Sequence, residues 1–369
     1  MRRDTLDFVI RSIVDWVFRA RKPESWIFRG AAGVLVLAQI PNWTAKFSRE
    51  ASESSTSIEV GVQGGAPGQV VTVICLALMV VAVIWAIWRY KLERSDTARK
   101  KVFVIEGRGL RDDDGAPLKN AVPSSVEGAR IDYLMDLRQR RDGAIIEPEM
   151  LLEPVSAMKT WLHQAQRAID RSDLTTVYGG LTAVPLTFLT GVLLDDEGDI
   201  VVMDWDRSAG RWRLLDGEDD GQRFQIAGIE GAIGAQEVVL AISASYAVRS
   251  DDLATAFSLP VVRMNLPDLQ SSHWSQIKQS ELADQYFGVL KQIAAEGVDR
   301  IHMVLAGQNS LVFNLARRYD KRNLPKLIVY QYERDATPRY PWGIEMPVSG
   351  AGVARVKRLN AAPTQTHTD

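Results

Sequence analysis

The chain has 369 residues, 46% of them hydrophobic and 24% charged, which is typical of folded rather than disordered proteins. Its single cysteine, Cys75, excludes an internal disulfide framework and a metal site built from several cysteines. Residues 1–101 carry 15 basic and nine acidic side chains, whereas the rest of the chain carries 29 and 37. This acidic main part argues against bulk binding of DNA or RNA, which requires a positive surface.

Two apolar segments near the N-terminus predict a transmembrane hairpin over residues 26–88. Residues 70–88 contain no charged side chain and approach the ~20 residues that a helix needs to cross the hydrocarbon core. Residues 26–43 have a shorter apolar centre, with Arg29 near one end and tryptophans at both ends. A buried or re-entrant helix is the alternative for this first segment. We predict that it spans, because the second span then returns the chain to its starting side.

Basic residues flank the predicted hairpin on its outer sides. Residues 1–25 and the linker 89–101 each contain six arginines or lysines, whereas the loop 44–69 contains two. The positive-inside rule therefore places both termini in the cytoplasm. Residues 1–25 also interleave apolar and basic side chains, which fits either an amphipathic helix on the membrane surface or a solvated lead-in helix.

Residues 102–358 predict an α/β domain, followed by a polar tail at 359–369. Short apolar runs predict strands, and amphipathic or longer apolar stretches predict the helices between them. The predicted strands are 101–106, 175–178, 200–205, 211–215, 237–243, 261–265, 300–305 and 327–332. The predicted helices are 124–141, 158–169, 184–194, 273–296 and 311–319. Their alternation favours a mostly parallel sheet covered on both faces.

An internal repeat divides this domain into two related halves. The segments that begin at Thr175 and Ile301 each show a strand ending in glycine, a polar turn, a helix and another apolar strand. Gly180 and Gly307 occupy equivalent places in the two segments. The first predicted strands of the two halves also match. We therefore predict two doubly wound units packed side by side.

The ends of these strands carry the candidate ligand-binding residues. In open α/β sheets, ligands bind beyond the carboxyl ends of the strands, where glycine admits a close approach and helix N-termini attract phosphate. Helix capping alone is the alternative for any one of these turns. We predict one composite pocket formed by Arg108, Gly179, Gly180, Thr182, Ser243, Ser245, Tyr246, Arg249, Gly307, Gln308, Asn309 and Ser310.

The remaining sequence patterns predict no catalytic centre, cofactor or metal site. Gly107-Arg108-Gly109 follows a strand, but Asp112 stands where a dinucleotide-binding fingerprint requires glycine. Two alternatives to a ligand sensor stay open. One is a membrane-tethered, nucleotide-dependent α/β enzyme, which needs an acid, base or nucleophile converging on the pocket. The other is an anchored scaffold that binds no ligand.

Four stretches of the domain resemble a known family. They are "VYGGLTAVPLTFLTG", "EVVLAISASYAV", "HMVLAGQNSLVFNLA" and "KLIVYQYERDATPRYPWGIEMP", which lie between residues 175 and 347 and cover under half of the chain. They resemble the SAVED domain of bacterial CBASS antiphage systems. The resemblance implies two fused CARF-like Rossmann units that sense a cyclic di- or trinucleotide made by a CD-NTase.

The resemblance also implies a mechanism, in which ligand binding drives oligomerisation and switches on an attached effector. The attached segment here is the predicted two-helix membrane hairpin. The chain therefore resembles a two-transmembrane SAVED effector of the bacterial inner membrane. Its expected partners are the cyclic oligonucleotide, the lipid bilayer and further copies of itself, and its expected output is membrane permeabilisation or ion flow.

Overall fold

The computed structural model describes residues 23–38, 43–51, 54–62, 66–109, 116–141, 144–167, 169–269, 273–348 and 353–359. The chain divides into two compact units at the boundary between Ala98 and Arg99, inside the predicted linker 89–101. The predicted lead-in segment 1–25 and tail 359–369 lie almost entirely outside the described residues.

Within its described residues, the N-terminal unit contains two helices and two strands. These are α1 Pro23–Ala38, β1 Trp43–Ala51, β2 Ser54–Val62 and α2 Ala66–Arg99. Among the described helices, the stretch Val70–Lys91 of α2, with a mean hydropathy of 3.0, is the one long and apolar enough to cross a membrane. The predicted first span, 26–43, overlaps the 16-residue α1, which ends at Ala38.

The predicted connecting loop 44–69 contains regular structure. Strands β1 and β2 form an antiparallel hairpin there, in which Trp43 lies opposite Val62 and Phe47 lies opposite Ile58. Apolar and β-branched residues at alternating positions favour such pairing. The many serines in this stretch conceal that alternation.

The first half of the C-terminal unit contains a five-stranded sheet. Its elements are β3 Lys101–Arg108, α3 Leu118–Ala121, β4 Ala129–Asp136, β5 Arg140–Arg141, β6 Ala144–Ile145, α4 Leu152–Gln166, β7 Leu174–Leu181, α5 Val184–Leu193, β8 Ile200–Asp206 and β9 Arg211–Leu214. The sheet order is β4-β3-β7-β8-β9. Neighbouring strands are parallel except for β8 and β9, and β5 and β6 form a separate small hairpin.

The second half contains a seven-stranded sheet. Its elements are β10 Gln225–Ala227, β11 Glu237–Ser243, α6 Ser250–Ala254, β12 Val261–Asn265, α7 Gln276–Ala295, β13 Arg300–Ala306, α8 Asn309–Ala316, β14 Lys326–Gln331, β15 Trp342–Glu345 and β16 Arg355–Arg358. The order is β10-β12-β11-β13-β14-β15-β16. The strands from β12 to β14 are parallel, and β10, β15 and β16 are antiparallel to their neighbours.

The predicted internal repeat is confirmed by the order of the strands. The run β4-β3-β7-β8-β9 of the first sheet matches β12-β11-β13-β14-β15 of the second, strand for strand, including the antiparallel last strand. The second sheet adds one edge strand on each side, β10 and β16. The structure is therefore an α/β fold of two related halves with mixed sheets.

One apolar core joins the two halves, and each sheet has a second core on its outer face. Successive strand residues point to opposite faces, so that Phe103 and Ile105 of β3 enter the shared core while Val102 and Val104 enter the outer one. Strand β11 divides its residues between the shared core and its own outer core in the same way. Burial on both faces explains the continuous apolar runs of these strands.

The predicted helix at 124–141 is wrong. Residues 129–136 form β4, which pairs in parallel with β3, and residues 140–145 contribute to the small hairpin. Val126, Ile131 and Leu134 are spaced as on one face of a helix, but this spacing does not mark a buried face. Strand β4 is an edge strand, and Leu134 is half exposed. Pairing with a buried central strand overrides the local pattern. The other predicted strands and helices of this unit are confirmed, with small differences at their ends.

Candidate ligand-binding cleft

The N-terminal ends of α5 and α8 lie side by side. The Asn309 Oδ1 atom accepts hydrogen bonds from the Thr187 hydroxyl at 2.7 Å and from the Thr182 backbone N–H at 3.4 Å. Thr182 and Asn309 are 127 residues apart, the separation that relates the two halves. The structure thus brings the predicted strand ends of both halves together.

Each of these helices is capped by a side chain from the opposite half. The Ser310 N–H donates to the Asp204 carboxylate at 2.9 Å, and the Val184 N–H donates to the Gln331 side-chain oxygen at 3.1 Å. Asp204 and Gln331 stand at equivalent positions near the ends of β8 and β14. Burial raises the pKa of Asp204, while the donated hydrogen bonds from Ser310 and Trp205 oppose that rise.

This reciprocal capping changes what the helix starts can do. Several of the N–H groups that could attract phosphate are already bonded within the protein. Asp204 is only 4% exposed and places a carboxylate at the start of α8. A phosphate at the same place would be unfavourable while that carboxylate is charged, because like charges repel.

Five of the twelve predicted ligand-binding residues are buried: Gly179, Gly180, Thr182, Ser243 and Ser310. A Cβ atom on Gly179 would lie 2.9 Å from a methyl group of Leu118, and one on Gly180 would overlap the Tyr178 hydroxyl. The Ser243 hydroxyl accepts from the Val248 N–H at 3.1 Å. Packing and internal hydrogen bonds therefore account for these residues, and their contact with a ligand stays a prediction.

The other predicted residues are more accessible. Gly307, Gln308 and Asn309 are half-buried, and Tyr246 and Arg249 are exposed. The Ser245 hydroxyl and the Gln308 side-chain oxygen are buried without a hydrogen-bond partner among the described residues. Arg108 ends β3 and pairs with Glu106 at 2.6 Å. Of this group, Ser245 and Gln308 hold polar atoms that a ligand could satisfy.

A cleft of about 560 Å³ opens at the carboxyl ends of the strands. Gly109 follows β3, Arg138 and Arg140 follow β4, and Glu333 follows β14. Trp342 and Arg358 belong to the last two strands of the second sheet. We call this cavity the arginine cleft and define it by these six residues, Gly109, Arg138, Arg140, Glu333, Trp342 and Arg358. Both halves of the fold contribute to it.

The arginine cleft adjoins the paired helix starts. The Gly109 N–H donates to the Leu181 carbonyl at 2.9 Å, and a Cβ atom on Gly109 would lie 2.9 Å from the Thr182 Cα atom. Glycine is therefore required at this strand end for close packing. The predicted cluster around Thr182 lies directly behind one wall of the cleft.

Three arginines line the cleft together with the carboxylates of Glu147 and Glu333. Arg138 binds both carboxylate oxygens of Asp136, at 2.9 and 2.8 Å. Arg358, on the second half, binds Glu147 at 2.6 Å and Glu149 at 2.9 Å, both on the first half. Hydrogen bonds to these two carboxylates raise the pKa of Arg358. Arg140 forms no ion pair among the described residues.

Sequence reasoning missed these arginines. The segment Arg138-Gln139-Arg140-Arg141 was placed in the last turn of the incorrectly predicted helix, where basic residues are common. The signal that could have found them is the density of arginine directly after a strand. Arg358 carried no local signal, because the strand that presents it forms only by pairing with β15.

Comparisons with known proteins agree with this architecture. The family described as "SMODS-associated and fused to various effectors sensor domain", or SAVED, matches residues 158–346, just over half of the chain. The family described as "SAVED-fused 2TM effector domain" matches residues 3–152. No curated protein sequence matches the chain.

Solved structures with a related fold include SAVED/CARF-domain receptors called Cap4. The Acinetobacter baumannii receptor with the cyclic trinucleotide 3′3′3′-cAAA is 12% identical, with a TM-score of 0.46 over 76% of this chain and 60% of that one. The same receptor with 2′3′3′-cAAA is 10% identical, with a TM-score of 0.45 over 76% of this chain and 59% of that one. The Moraxella osloensis receptor is 10% identical, with a TM-score of 0.40 over 67% of this chain and 49% of that one. The chain thus spans at most about three-fifths of the length of these receptors.

Proposed function

The chain belongs to the SAVED sensor family, and we propose that it is a membrane-anchored antiphage effector that binds a cyclic oligonucleotide in the arginine cleft. On binding, it self-associates and permeabilises the bacterial inner membrane. The observation that carries this proposal is the arginine-lined cleft at the carboxyl ends of the strands, shared by both halves of a SAVED fold.

The chemistry of the cleft suits a ring of linked nucleotides. Arginine binds phosphate through paired N–H groups, and three arginines lie around the cavity. Its volume of about 560 Å³ falls in the range of small-molecule sites, roughly 300–1,000 Å³. Arg138 and Arg358 already hold carboxylates, but partly exposed ion pairs contribute little free energy, so phosphates can replace those carboxylates at low cost.

A ligand held between the halves can act on their arrangement. It shifts a conformational equilibrium by the difference between its affinities for the two states. The Arg358 contacts to Glu147 and Glu149 connect the halves at this cleft and compete with ligand phosphates for the same guanidinium group. Binding therefore exchanges an internal contact for a ligand contact.

The proposed output resides in the N-terminal unit. Val70–Lys91 supplies one membrane span, and residues 26–43 supply the second, with both termini cytoplasmic. Helix α2 ends at Arg99 and β3 begins at Lys101, so a single residue, Lys100, separates them. The other end of β3 leads into Gly109 of the cleft. A strand connected in this way carries a displacement at the cleft to the C-terminal end of α2.

We assign the protein no chemical reaction. The two carboxylates that line the cleft are Glu147, which binds Arg358, and Glu333, which binds the indole N–H of Trp342. A carboxylate engaged in this way is a poor general base. The enzyme alternative therefore draws no support from the cleft.

Dye release from liposomes tests the proposal. The full chain is inserted into dye-filled liposomes, and cyclic di- and trinucleotides are added one at a time. We expect release with at least one ring and none with the matching linear oligonucleotide. Arg140→Glu should abolish that release, whereas Arg211→Glu, an exposed arginine of β9 outside the cleft, should leave it intact. Release without any ligand, or equal release by the two variants, would contradict the proposal.

A further inference from the structure

Glu333 is an unexpected residue in a cleft for a polyanion. A carboxylate repels phosphates, and it weakens binding of an anionic ring unless it makes a compensating contact. The other carboxylate of the cleft, Glu147, is paired with Arg358 at 2.6 Å. No basic side chain among the described residues pairs with Glu333. The cleft therefore contains one carboxylate whose charge the protein does not balance.

Glu333 is also held in a defined orientation. Its Oε1 atom accepts a hydrogen bond from the indole N–H of Trp342 at 2.7 Å. Trp342 is 4% exposed, so that the donor is fixed by the core. The Glu333 backbone N–H donates to the Arg339 carbonyl at 2.9 Å. With Oε1 bound, the Oε2 atom has no hydrogen-bond partner within the part of the chain that the structure describes.

A fixed, unpaired carboxylate oxygen accepts hydrogen bonds and donates none. It matches a base edge that carries an amino group, as adenine, cytosine and guanine do. It mismatches uracil, whose edge presents two carbonyl oxygens on either side of one N–H. We propose that Glu333 reads a base of the ligand and selects amino-bearing bases over uracil. This inference rests on the proposed function of the same cleft, and it deepens that function by naming the base class.

The roles within the cleft then divide by charge. The arginines bind the phosphates, which every ring shares, and Glu333 contacts a base, which differs between rings. A uracil offers the carboxylate a single N–H, flanked on both sides by carbonyl oxygens that repel it. Discrimination of this kind amounts to at least about tenfold in Kd. The arginines provide affinity, and Glu333 provides selectivity.

Binding of matched rings tests the assignment. The full chain in lipid nanodiscs is titrated with cyclic di-AMP, cyclic di-GMP and cyclic di-UMP, and with the corresponding cyclic trinucleotides. Within a ring size, we expect the uracil ring to bind at least about tenfold more weakly than the adenine or guanine ring. In Glu333→Gln the amide oxygen accepts from the Trp342 N–H, so the NH₂ group faces the base, and the substitution should reduce that ratio to about threefold or less.

Two further variants separate base reading from a merely structural role. Glu345→Gln removes a carboxylate of the adjacent strand β15 that pairs with Lys357 outside the cleft, and it should leave the ratio unchanged. Glu333→Asp keeps the charge but withdraws it by one methylene, and it should weaken binding of the adenine and guanine rings. An equal affinity for uracil rings, or an unchanged ratio in Glu333→Gln, would overturn the base assignment alone. If no ring binds, the proposed function fails as well.

Discussion

The two halves of the sensor share an order of strands but differ in the residue that caps the opposite helix. Near the end of β8 that residue is Asp204, a buried carboxylate, whereas at the equivalent place in β14 it is the neutral Gln331. The helix starts thus hold the halves together instead of remaining open for phosphate. The comparison teaches that a repeated fold can use its anion-attracting helix ends for internal contacts, and in our proposal the arginines at the rim then bind the ligand.

The contact between α5 and α8 depends on a glycine that has no counterpart in the second half. Gly191 allows α5 to approach α8, and the equivalent position is the exposed Arg318. A Cβ atom at Gly191 would lie 2.5 Å from the Ala316 Cβ and 2.8 Å from the Phe313 carbonyl oxygen. We expect Gly191→Ala to lower the free energy of unfolding by about 3 kcal/mol, because these backbones must separate.

Gly288→Ala is the matched control for this substitution. Gly288 lies in helix α7 with no atom within 4 Å of an added Cβ. The same change there should raise stability by about 0.5–1 kcal/mol through the higher helix propensity of alanine. Chemical unfolding of the full chain in detergent measures both effects. Equal effects would mean that α5 and α8 do not pack as described.

The asymmetry of the caps predicts unequal costs for their removal. Asp204→Ala leaves two buried N–H groups, those of Ser310 and Trp205, without their acceptor, at a cost of about 2 kcal/mol. Gln331→Ala removes one acceptor, from Val184, and should cost about 1 kcal/mol. Thermal unfolding of the two variants side by side measures the difference. A larger loss of stability in Gln331→Ala than in Asp204→Ala would contradict this expectation.

The second half also carries the groups that make stability depend on pH near neutrality. Burial lowers the pKa of His302, partly offset by Glu237, and burial likewise lowers the pKa of His273. The unfolded chain, with a histidine pKa of about 6.5, therefore binds protons that the folded chain does not. This contribution to stability is present above pH 6.5 and is lost as the pH falls below it.

His302→Gln tests the contribution of His302 to this pH effect. The His302 ring accepts or donates hydrogen bonds at 2.9 Å to both Tyr330 and Glu237, and Arg300 also binds Glu237. We expect the unfolding temperature of the wild type to drop between pH 7 and pH 5, and the drop to shrink in the variant. Identical pH profiles would exclude His302 as the source.

The two equivalent glycines at the strand ends should respond differently to the smallest substitution. Gly180→Ala would place its methyl group against the hydroxyl of the buried Tyr178, whose ring stacks on Phe313 at 3.8 Å. Gly307→Ala meets only ordinary contacts, with Ala244 Cβ at 3.5 Å. We expect a loss of about 1 kcal/mol for the first and less than about 0.5 kcal/mol for the second. Equal losses in a denaturant titration would contradict the close packing at Gly180.

Most buried strands were predictable from the sequence, whereas the edge strands β4, β10 and β16 were not. The exceptions are β9, an edge strand that was predicted, and β15, a buried strand that was not. Strands such as β11 and β12 are covered by apolar neighbours, so their composition alone marks them. Strand β4 has exposed residues at irregular intervals, and β16 contains arginine and lysine at three of its four positions. These edge strands form because a neighbouring strand offers backbone groups for hydrogen bonding. That neighbour is distant in the sequence or is itself unpredicted, so a local pattern cannot reveal the pairing.

The candidate site shows the same limit. The glycine and polar turns around Gly180 and Gly307 were visible, but their use as reciprocal caps depends on the packing of two distant segments. The arginine cleft combines residues near position 140 with residues near 333 and 358, so no sequence window contains it. The match to the effector family runs to residue 152 and includes β3 and β4, which the structure places in the sensor's first sheet.

Equilibrium binding of cyclic oligonucleotides to the full chain in nanodiscs tests the central claim, that the arginine cleft holds the ligand. We predict saturable binding of at least one ring, weakened at least about tenfold by Arg140→Glu and unaffected by Arg211→Glu. The affinity should fall as salt rises, because phosphate contacts are screened. Equal binding by Arg140→Glu and the wild type, or the absence of binding by every ring, would contradict the account.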